Sequence, residues 1–269
     1  MNIPNTSFAH VNGAQLYYET AGEGHPLVLL HAGIADSGMW DGHFERYSEH
    51  YRVIRYDLRG FGQSKIPSGS YSGYQDLASL LDHLEIEKAH VLGISNGGRV
   101  AIDFAIAFPK RVDKLVLSAP SVGGYPPSDI IRQFWQDEDE ALQRGDLEAA
   151  TEINLRLWVD GPKRSPDEVD AKVRQKVYQM QMQAFQIDEP EDAEEVGLSP
   201  EAIGRLDEIT AETLVLVGDL DLEEKIELAK KAVQEINNSQ LKVISGAAHM
   251  LNMEKPGKFD RAVLAFLLN

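Results

Sequence analysis

Short apolar runs alternate with longer amphipathic segments along most of this 269-residue chain. Several of these runs are almost continuously apolar, which is typical of strands that are covered on both faces of a sheet. The predicted strands are HPLVLLHAG, YRVIRYD, AHVLGIS, DKLVLSAP, TLVLVGD and LKVISGA. Between them, apolar residues recur with helical spacing over residues 74–84, 97–107, 223–236 and 256–268. The alternation predicts a doubly wound, mostly parallel sheet.

The first apolar segment, FAHVNGAQLYYETAG, has a different pattern. Its Asn12-Gly13 pair separates two β-rich runs, and such a pair is the strongest short signal for a tight hairpin. We expect this hairpin to add two strands at an antiparallel edge. The predicted fold class is therefore α/β, with an eight-stranded, mostly parallel, doubly wound sheet.

The alternation stops between residues 122 and 207. That segment contains no convincing strand, only helical stretches divided by GGYPPS, RGD, DGPKRSP and DEPEDAEE. It is predicted to be a helical cap inserted into a core of residues 1–121 and 208–269. We expect the large side chains of the cap, Trp135 and Trp158 among them, to pack onto the core, and a subset of them to line an apolar pocket. We assign these two tryptophans and Trp40 to substrate binding.

Charge and composition narrow the function. A formal net charge of −17 argues against nucleic-acid binding, because phosphates would be repelled. The absence of cysteine excludes disulfides, thiolate metal ligands and a cysteine nucleophile. No apolar run approaches the roughly 18 residues of a membrane span, and the start MNIPNTSFAHVNG lacks signal-peptide features. We expect a soluble, cytoplasmic protein that acts on a small molecule without a metal, and its oligomeric state stays open.

The stretch GISNG, residues 93–97, matches the pattern G-x-S-x-G. The pattern is short, but here it follows a predicted strand and opens an amphipathic helix, which is the context of a nucleophile elbow. The glycines leave room for a sharp turn, and the helix N-terminus favours developing negative charge. Ser95 is thus either a nucleophile or a serine that caps a helix.

A serine nucleophile needs a base, and in folds of this kind the acid and then the histidine follow it along the chain. Of the eight histidines, His249 alone comes after Ser95, in the loop behind the last predicted strand. The strand TLVLVGDLD ends in Asp219 and Asp221. We favour Asp221 as the acid that orients the imidazole, and we expect Asp219 to bond to backbone in the turn.

Acyl transfer also requires two donors for an oxyanion. One would be the backbone N–H of Asn96, the residue after the nucleophile. The loop LLHAGIADSGMW follows an apolar strand, and we assign the second donor to the Gly33 backbone N–H. His31, in the same loop, precedes Ser95 in the chain, so we expect it to hold the loop by hydrogen bonds rather than to act as the base.

Taken together, LLHAG, YDLRGFGQS, GISNGG, GDLD and GAAH resemble the motifs of the α/β-hydrolase superfamily. The resemblance extends over essentially the whole chain and implies a Ser95–Asp221–His249 triad, an oxyanion hole of Gly33 and Asn96, a cap after the sixth strand and no cofactor. It also implies that the polar residues of 57–64 order the loop beneath the site. Two residues depart from the usual pattern. Ala32 replaces a glycine, and Asn96 replaces a methionine, glutamine or histidine.

Within the superfamily the chain is similar to capped serine hydrolases such as 3-oxoadipate enol-lactonases and carboxylesterases. This similarity implies hydrolysis of a small carboxylic ester or lactone through an acyl-enzyme. C–C bond hydrolysis, cofactor-free haloperoxidase or perhydrolase activity and aminopeptidase activity use the same triad and stay open. The acidic stretch 137–140 would suit a substrate amine, although a solvated helix face is the preferred interpretation. A non-catalytic ligand-binding protein is a remote alternative.

Overall fold

The computed structural model describes residues 5–269, whose main feature is a large, twisted sheet. The strands are β1 (Asn5–Val11), β2 (Ala14–Ala21), β3 (Pro26–Leu30), β4 (Arg52–Tyr56), β5 (Ser70–Tyr71), β6 (Ala89–Ile94), β7 (Val112–Ser118), β8 (Glu194–Glu195), β9 (Glu212–Gly218) and β10 (Ser239–Ile244). The main sheet has eight strands in the order β1-β2-β4-β3-β6-β7-β9-β10. Strand β2 is antiparallel to both of its neighbours, and all other neighbours are parallel. The α/β fold and the eight strands predicted for the sheet are confirmed.

The strand order places a crevice near the middle of the sheet. From β3 the chain moves outward to β4, then returns to β6 and continues towards the other edge. Neighbouring connections therefore leave β3 and β6 in opposite directions, and ligands of open α/β sheets bind at such a reversal, beyond the carboxyl ends of the strands. The predicted HAG loop follows β3 and the predicted nucleophile follows β6, so both lie at this point.

Helices cover the sheet and fill the region between β7 and β9. They are α1 (Asp41–Tyr47), α2 (Gly73–His83), α3 (Asn96–Ala107), α4 (Asp129–Gln143), α5 (Leu147–Asn154), α6 (Ala171–Ala184), α7 (Glu223–Glu235), α8 (Leu251–Glu254) and α9 (Pro256–Leu267). A π-helical turn, Leu155–Asp160, continues α5. The four helices predicted from periodicity are α2, α3, α7 and α9, each within one residue of its predicted bounds at either end. The amphipathic pattern therefore located the helices that cover the core.

The two faces of the sheet bury separate apolar cores. Along β3, Val28 and Leu30 belong to the core beneath α2, α3 and α7, whereas Leu27 and Leu29 belong to the core beneath α1 and α9. Successive strand residues point to opposite faces, so a strand that is covered on both sides is apolar at every position. All four of these leucine and valine side chains are 0% exposed. The nearly continuous apolar runs in the sequence have this origin.

Local turn chemistry sets the edge hairpin. Asn12 and Gly13 both have positive φ, +48° and +77°, as the two central residues of a tight hairpin turn require. Strands β1 and β2 pair in register from Asn5 with Thr20 to Val11 with Ala14. The predicted antiparallel hairpin is confirmed, although residues 1–4 lie outside the described part of the chain.

Residues 119–211 include α4, α5 and α6, and the division into core and cap at residues 122 and 207 stays a prediction. One detail of that prediction is wrong, because the segment does contain a strand. The two residues of β8 pair in parallel with β5, and Ser72 Oγ donates a hydrogen bond to the Val196 carbonyl 2.7 Å away. A pairing of two residues is too short to leave a periodic pattern in the sequence. It also depends on a strand that is distant along the chain. Within residues 5–269, the helices lack the length and apolar character that crossing a bilayer requires.

Candidate active site

Ser95 lies at a strained turn between β6 and α3. Its φ of +53° and ψ of −112° fall in a region that side-chain-bearing residues rarely occupy. Surrounding backbone holds the turn: the Ser95 N–H donates to the Ser118 carbonyl, and the Ser95 carbonyl accepts from the Ser121 N–H, each at 3.0 Å. The strain therefore comes from the anchored backbone on both sides of the residue. Ser95 lines the cavity described below.

Glycines make this turn sterically feasible. A Cβ on Gly93 would lie 2.2 Å from the Gly97 carbonyl oxygen, and a Cβ on Gly97 would lie 2.6 Å from the carbonyl oxygens of Leu30 and His31. Both contacts are with backbone, so no side-chain movement would relieve them. The glycines of G-x-S-x-G are required here because the start of α3 presses against the ends of β3 and β6. A serine that merely caps a helix has no such requirement.

His249 and Asp221 form a buried pair at the cavity that Ser95 lines. The His249 Nδ1 is 2.9 Å from the Asp221 Oδ2, and each side chain is 1% exposed. The other carboxylate oxygen of Asp221 accepts from the Leu222 N–H at 2.8 Å. A carboxylate on Nδ1 keeps the proton there, which leaves a lone pair on Nε2. That Nε2 is buried and makes no hydrogen bond to any residue of 5–269, and His249 lines the same cavity as Ser95.

The neighbouring carboxylate, Asp219, has a different role. Its Oδ1 accepts a hydrogen bond of 2.7 Å from the Gly246 N–H. This bond joins the loop after β9 to the loop after β10, three residues before His249. The expectation that Asp219 bonds to backbone is therefore confirmed by its geometry, and Asp221 is the carboxylate that reaches the imidazole.

Two backbone donors next to Ser95 are free. Neither the Gly33 N–H nor the Asn96 N–H donates to an acceptor within residues 5–269, and both residues line the cavity. The next amide, that of Gly97, is already used, because it donates to the His31 carbonyl at 3.0 Å. A Cβ on Gly33 would lie 3.4 Å from the Asn96 Cβ, so the two donors belong to facing segments of chain. Ala32, at the position where a glycine is usual, is 1% exposed.

His31 holds the loop that carries Gly33. The Leu58 N–H donates to its Nε2 at 2.9 Å, so its Nδ1 carries the proton and donates to the Ala32 carbonyl at 2.8 Å. The side chain is 0% exposed, and burial lowers its pKa. Asp57 stiffens the same region by accepting from the Ser37 and Gln63 N–H groups, each at 2.8 Å. These contacts fit the predicted structural role of His31.

The cavity lies between the carboxyl ends of the strands and the helices α4, α5 and α6, and its volume is about 540 Å³. Its apolar walls come from loops that follow strands of the sheet and from the helical residues after β7. These side chains are Ile34, Phe61, Ile66, Phe134, Trp158 and Phe185. Trp158 is central, because its ring lies 4.6 Å from the His249 imidazole and packs edge-on against Phe134 at 5.7 Å. This tryptophan, predicted to bind substrate, is therefore beside the candidate base.

The structure corrects the other two tryptophan assignments. Trp40 is 0% exposed and packs in the core against His43 and Phe259, away from the cavity. Trp135 is 49% exposed on the outer side of α4, whereas its neighbour Phe134 faces the cavity. Adjacent helix residues differ by about 100° in direction, so at most one of them faces the pocket. Aromatic character alone did not show which face of the helix points inward.

Several residues of the cavity were not assigned to it from the sequence, and the most informative is Glu138, because the preferred interpretation of the stretch 137–140 was a solvated helix face. It is one turn along α4 from Phe134 and lines the same cavity, whereas Asp137, Asp139 and Glu140 are exposed. Burial raises the pKa of Glu138, and Asn154 Nδ2 donates to its carboxylate. The spacing of four residues between Phe134 and Glu138 was the available signal.

The acidic groups of the cavity outnumber its basic ones. Glu138, Glu189 and Glu195 line it together with a single arginine, Arg59. Arg59 is neutralised by Asp76, to which it donates two hydrogen bonds. Glu195 is paired with Arg99 at 2.6 Å. Two carboxyl groups therefore remain without a cationic partner in the cavity lining.

Asn96 connects the turn to this acidic side. Its Oδ1 accepts from the Arg99 Nε at 3.0 Å, and the same guanidinium is paired with Glu195 of β8. The asparagine side chain is thus held by a charged group on its own helix, and that group is paired in turn with a carboxylate of β8.

Comparison with known proteins identifies the family of the chain. Residues 25–256 match the family model of the alpha/beta hydrolase fold. The chain is 30% identical to a 2-hydroxy-6-oxononadienedioate/2-hydroxy-6-oxononatrienedioate hydrolase of Paraburkholderia xenovorans, over 94% of this chain and 90% of the relative. It is 28% identical to a pimeloyl-[acyl-carrier protein] methyl ester esterase of Nitrosospira multiformis, over 93% and 97%.

Among solved structures, the enol-lactonase of Burkholderia xenovorans superimposes with a TM-score of 0.81 at 23% identity, covering 98% of this chain and 100% of the other. At that identity the likeness concerns the fold. The family match spans most of the chain and includes the turn at Ser95, the candidate acid and the candidate base. The chain therefore belongs to the alpha/beta hydrolase family and is a hydrolase by family.

Proposed function

We propose that the protein hydrolyses a carboxylic ester or lactone of a small molecule, with Ser95 as nucleophile, His249 as base and Asp221 as the orienting acid. The observation that carries this proposal is the buried Asp221–His249 pair, whose Nε2 makes no hydrogen bond within residues 5–269, in a histidine that lines the same cavity as Ser95. A neutral imidazole with a free Nε2 is the form that accepts a proton from a serine hydroxyl.

In the proposed first step, Ser95 Oγ attacks the substrate carbonyl as its proton moves to His249 Nε2. The carbonyl oxygen becomes an oxyanion that accepts hydrogen bonds from the Gly33 and Asn96 N–H groups. The imidazolium then gives its proton to the leaving alkoxide, which departs as an alcohol and leaves an acyl-Ser95. Water attacks this ester with His249 again as base, and release of the acid restores the serine.

A labelling experiment tests the nucleophile. Ser95→Ala should lose both esterase activity and covalent labelling by a fluorophosphonate. Ser118→Ala is a matched control, because Ser118 ends the adjacent strand, is 0% exposed and has a hydroxyl without a partner in the described residues. The control should keep both properties. Undiminished labelling of the Ser95→Ala protein would refute the proposed nucleophile.

The second candidate is hydrolysis of a C–C bond in a vinylogous diketone, and the name of the Paraburkholderia relative supports it. That name describes a dicarboxylate substrate. The cavity here has more carboxylates than arginines, and its Arg59 is already neutralised by Asp76. Like charges in a partly desolvated site repel, so this cavity disfavours a dianion. We therefore rank an uncharged or cationic ester above the dicarboxylate diketone.

A substrate panel distinguishes the two candidates. Methyl or p-nitrophenyl esters of equal chain length, with a neutral, an anionic or a cationic distal group, should be tested beside lactones and a dicarboxylate diketone. The neutral ester should exceed the anionic one in kcat/KM by about tenfold, which corresponds to about 1.4 kcal/mol. Faster turnover of the dicarboxylate diketone than of every ester and lactone would favour C–C hydrolysis instead.

A further inference from the structure

Two histidines and an aspartate meet at the amino ends of three parallel strands, whereas the cavity lies at the carboxyl ends. His25 precedes β3, His90 is the second residue of β6, and Asp113 is the second residue of β7. These strands are neighbours in the sheet, so their amino ends bring the three side chains together. The His25 Nε2 is 2.8 Å from the Asp113 Oδ2, and the two imidazole centroids are 4.3 Å apart.

The three residues have the donor spacing of a metal site. Each offers one nitrogen or oxygen ligand atom, and these atoms lie within 4.8 Å of one another. Ligands bound at about 2.0–2.2 Å to one ion are separated by at most about 4.4 Å, so small side-chain rotations would bring all three into coordination. His25 is exposed and Asp113 half-buried, which gives these side chains room to adjust.

His90 supplies an independent indication. Its side chain is 8% exposed, and its Nδ1 is buried without a hydrogen-bond partner within residues 5–269. A neutral imidazole with an unbonded nitrogen is the form that binds metals. Nothing in the proposed hydrolysis uses this residue.

We propose that His25, His90 and Asp113 bind a divalent transition-metal ion of the zinc class. Two imidazoles and one carboxylate are typical of Zn²⁺, Co²⁺ or Ni²⁺, whereas Mg²⁺ and Ca²⁺ prefer oxygen ligands. The ion replaces the proton that His25 shares with Asp113, and three protein donors leave a coordination position for water. Lys88 pairs with the other oxygen of Asp113 and orients the carboxylate while opposing the ion's charge.

The site is separate from the proposed hydrolytic centre. None of its three residues lines the cavity of Ser95, and they lie at the amino rather than the carboxyl ends of the parallel strands. The ligands are spread over residues 25–113 without a local motif, so the sequence predicted no metal. An ion there would link the starts of β3, β6 and β7 and stabilise the folded state.

Calorimetric titration of chelator-treated full-length protein with ZnCl₂ tests the site. We expect one ion per chain and no comparable binding of MgCl₂. His25→Ala and Asp113→Asn should each weaken zinc binding by about tenfold or more. Lys88→Met should tighten it several-fold because it removes a positive charge that is paired with Asp113. His10→Ala, which changes an exposed histidine of β1, should bind zinc as wild type does.

Thermal melts add a second readout. Zinc should raise the Tm of wild type and of His10→Ala but leave that of His25→Ala unchanged. Ester hydrolysis and circular dichroism, measured on every variant without zinc, establish that each is folded. Zinc affinity that is the same in His25→Ala, Asp113→Asn and wild type would overturn the proposal, and so would equal binding of Mg²⁺.

Discussion

The two aspartates after β9 offer a matched test of the proposed acid. Asp221→Asn and Asp219→Asn make the same chemical change two residues apart. In wild type, Asp221 accepts from His249 Nδ1 at 2.9 Å, whereas Asp219 accepts from the Gly246 backbone at 2.7 Å. An asparagine at 221 presents an amide that donates to Nδ1 and so places the imidazole proton on Nε2. In that tautomer His249 cannot accept the proton of Ser95.

The size of the effect follows from the burial of the pair. Both side chains are 1% exposed, so the carboxylate stabilises the imidazolium of the transition state with little screening. At 2.9 Å and an effective dielectric constant of about 20, the Coulomb energy is about 6 kcal/mol. This energy corresponds to a loss of about 10⁴-fold in kcat/KM. Asp219→Asn should lose less than about tenfold, because an asparagine oxygen still accepts the Gly246 N–H.

The assay is kcat/KM for an activated ester between pH 5 and 9, with thermal melts to establish that each variant is folded. The Asp221→Asn protein should have a normal KM and a strongly reduced kcat, since orientation of the base acts on the chemical step. A larger loss in Asp219→Asn would exchange the roles of the two aspartates. A loss below tenfold in a folded Asp221→Asn protein would refute the electrostatic argument itself.

Three further predictions concern the turn, the core and the cavity. Gly97→Ala should unfold the protein or lower its Tm strongly, because the new Cβ would meet backbone oxygens at 2.6 Å. Gly42 has open space around it, so Gly42→Ala should be neutral or stabilising, and thermal melting curves of the two variants test this difference. Burial raises the pKa of Asp103 from 3.8 to about 6 despite the Arg99 charge, so the folded state holds this proton more tightly and stability falls as the pH rises through this range. Asp103→Asn should therefore be more stable than wild type by up to about 3 kcal/mol at pH 8 and equal to it near pH 3.5. Urea denaturation at both pH values measures this difference, and no gain in stability at pH 8 would contradict the raised pKa of Asp103. Glu138→Gln should reduce the preference for neutral over anionic esters severalfold, and an unchanged ratio of kcat/KM would remove Glu138 from substrate recognition.

Asn96 shows how much of the candidate active site can be predicted from the local sequence pattern. From its position directly after Ser95 we predict that its backbone N–H is an oxyanion-hole donor, because a strand, a sharp turn and a helix in sequence constrain the amide. The role of its side chain depended on Arg99 and on Glu195, which is 99 positions away in the chain. No local pattern contains that contact.

Periodicity and chain order determined the parts of this protein that depend on nearby residues. The apolar runs specified the strands of the main sheet, the helical spacing specified α2, α3, α7 and α9, and the order of Ser95, Asp221 and His249 singled out the candidate triad. Burial of one face of a helix or strand produces a pattern that repeats within a few residues, so each segment carries its own signal.

Tertiary structure decided what depends on which distant segments meet. It removed Trp40 and Trp135 from the cavity, brought Glu138 into it, paired β5 with β8, and gathered His25, His90 and Asp113 at one edge of the sheet. Each of these outcomes follows from the strand order or from the rotation of one helix against another element. Those relations are set by packing of the whole chain, and the sequence of any single segment does not contain them.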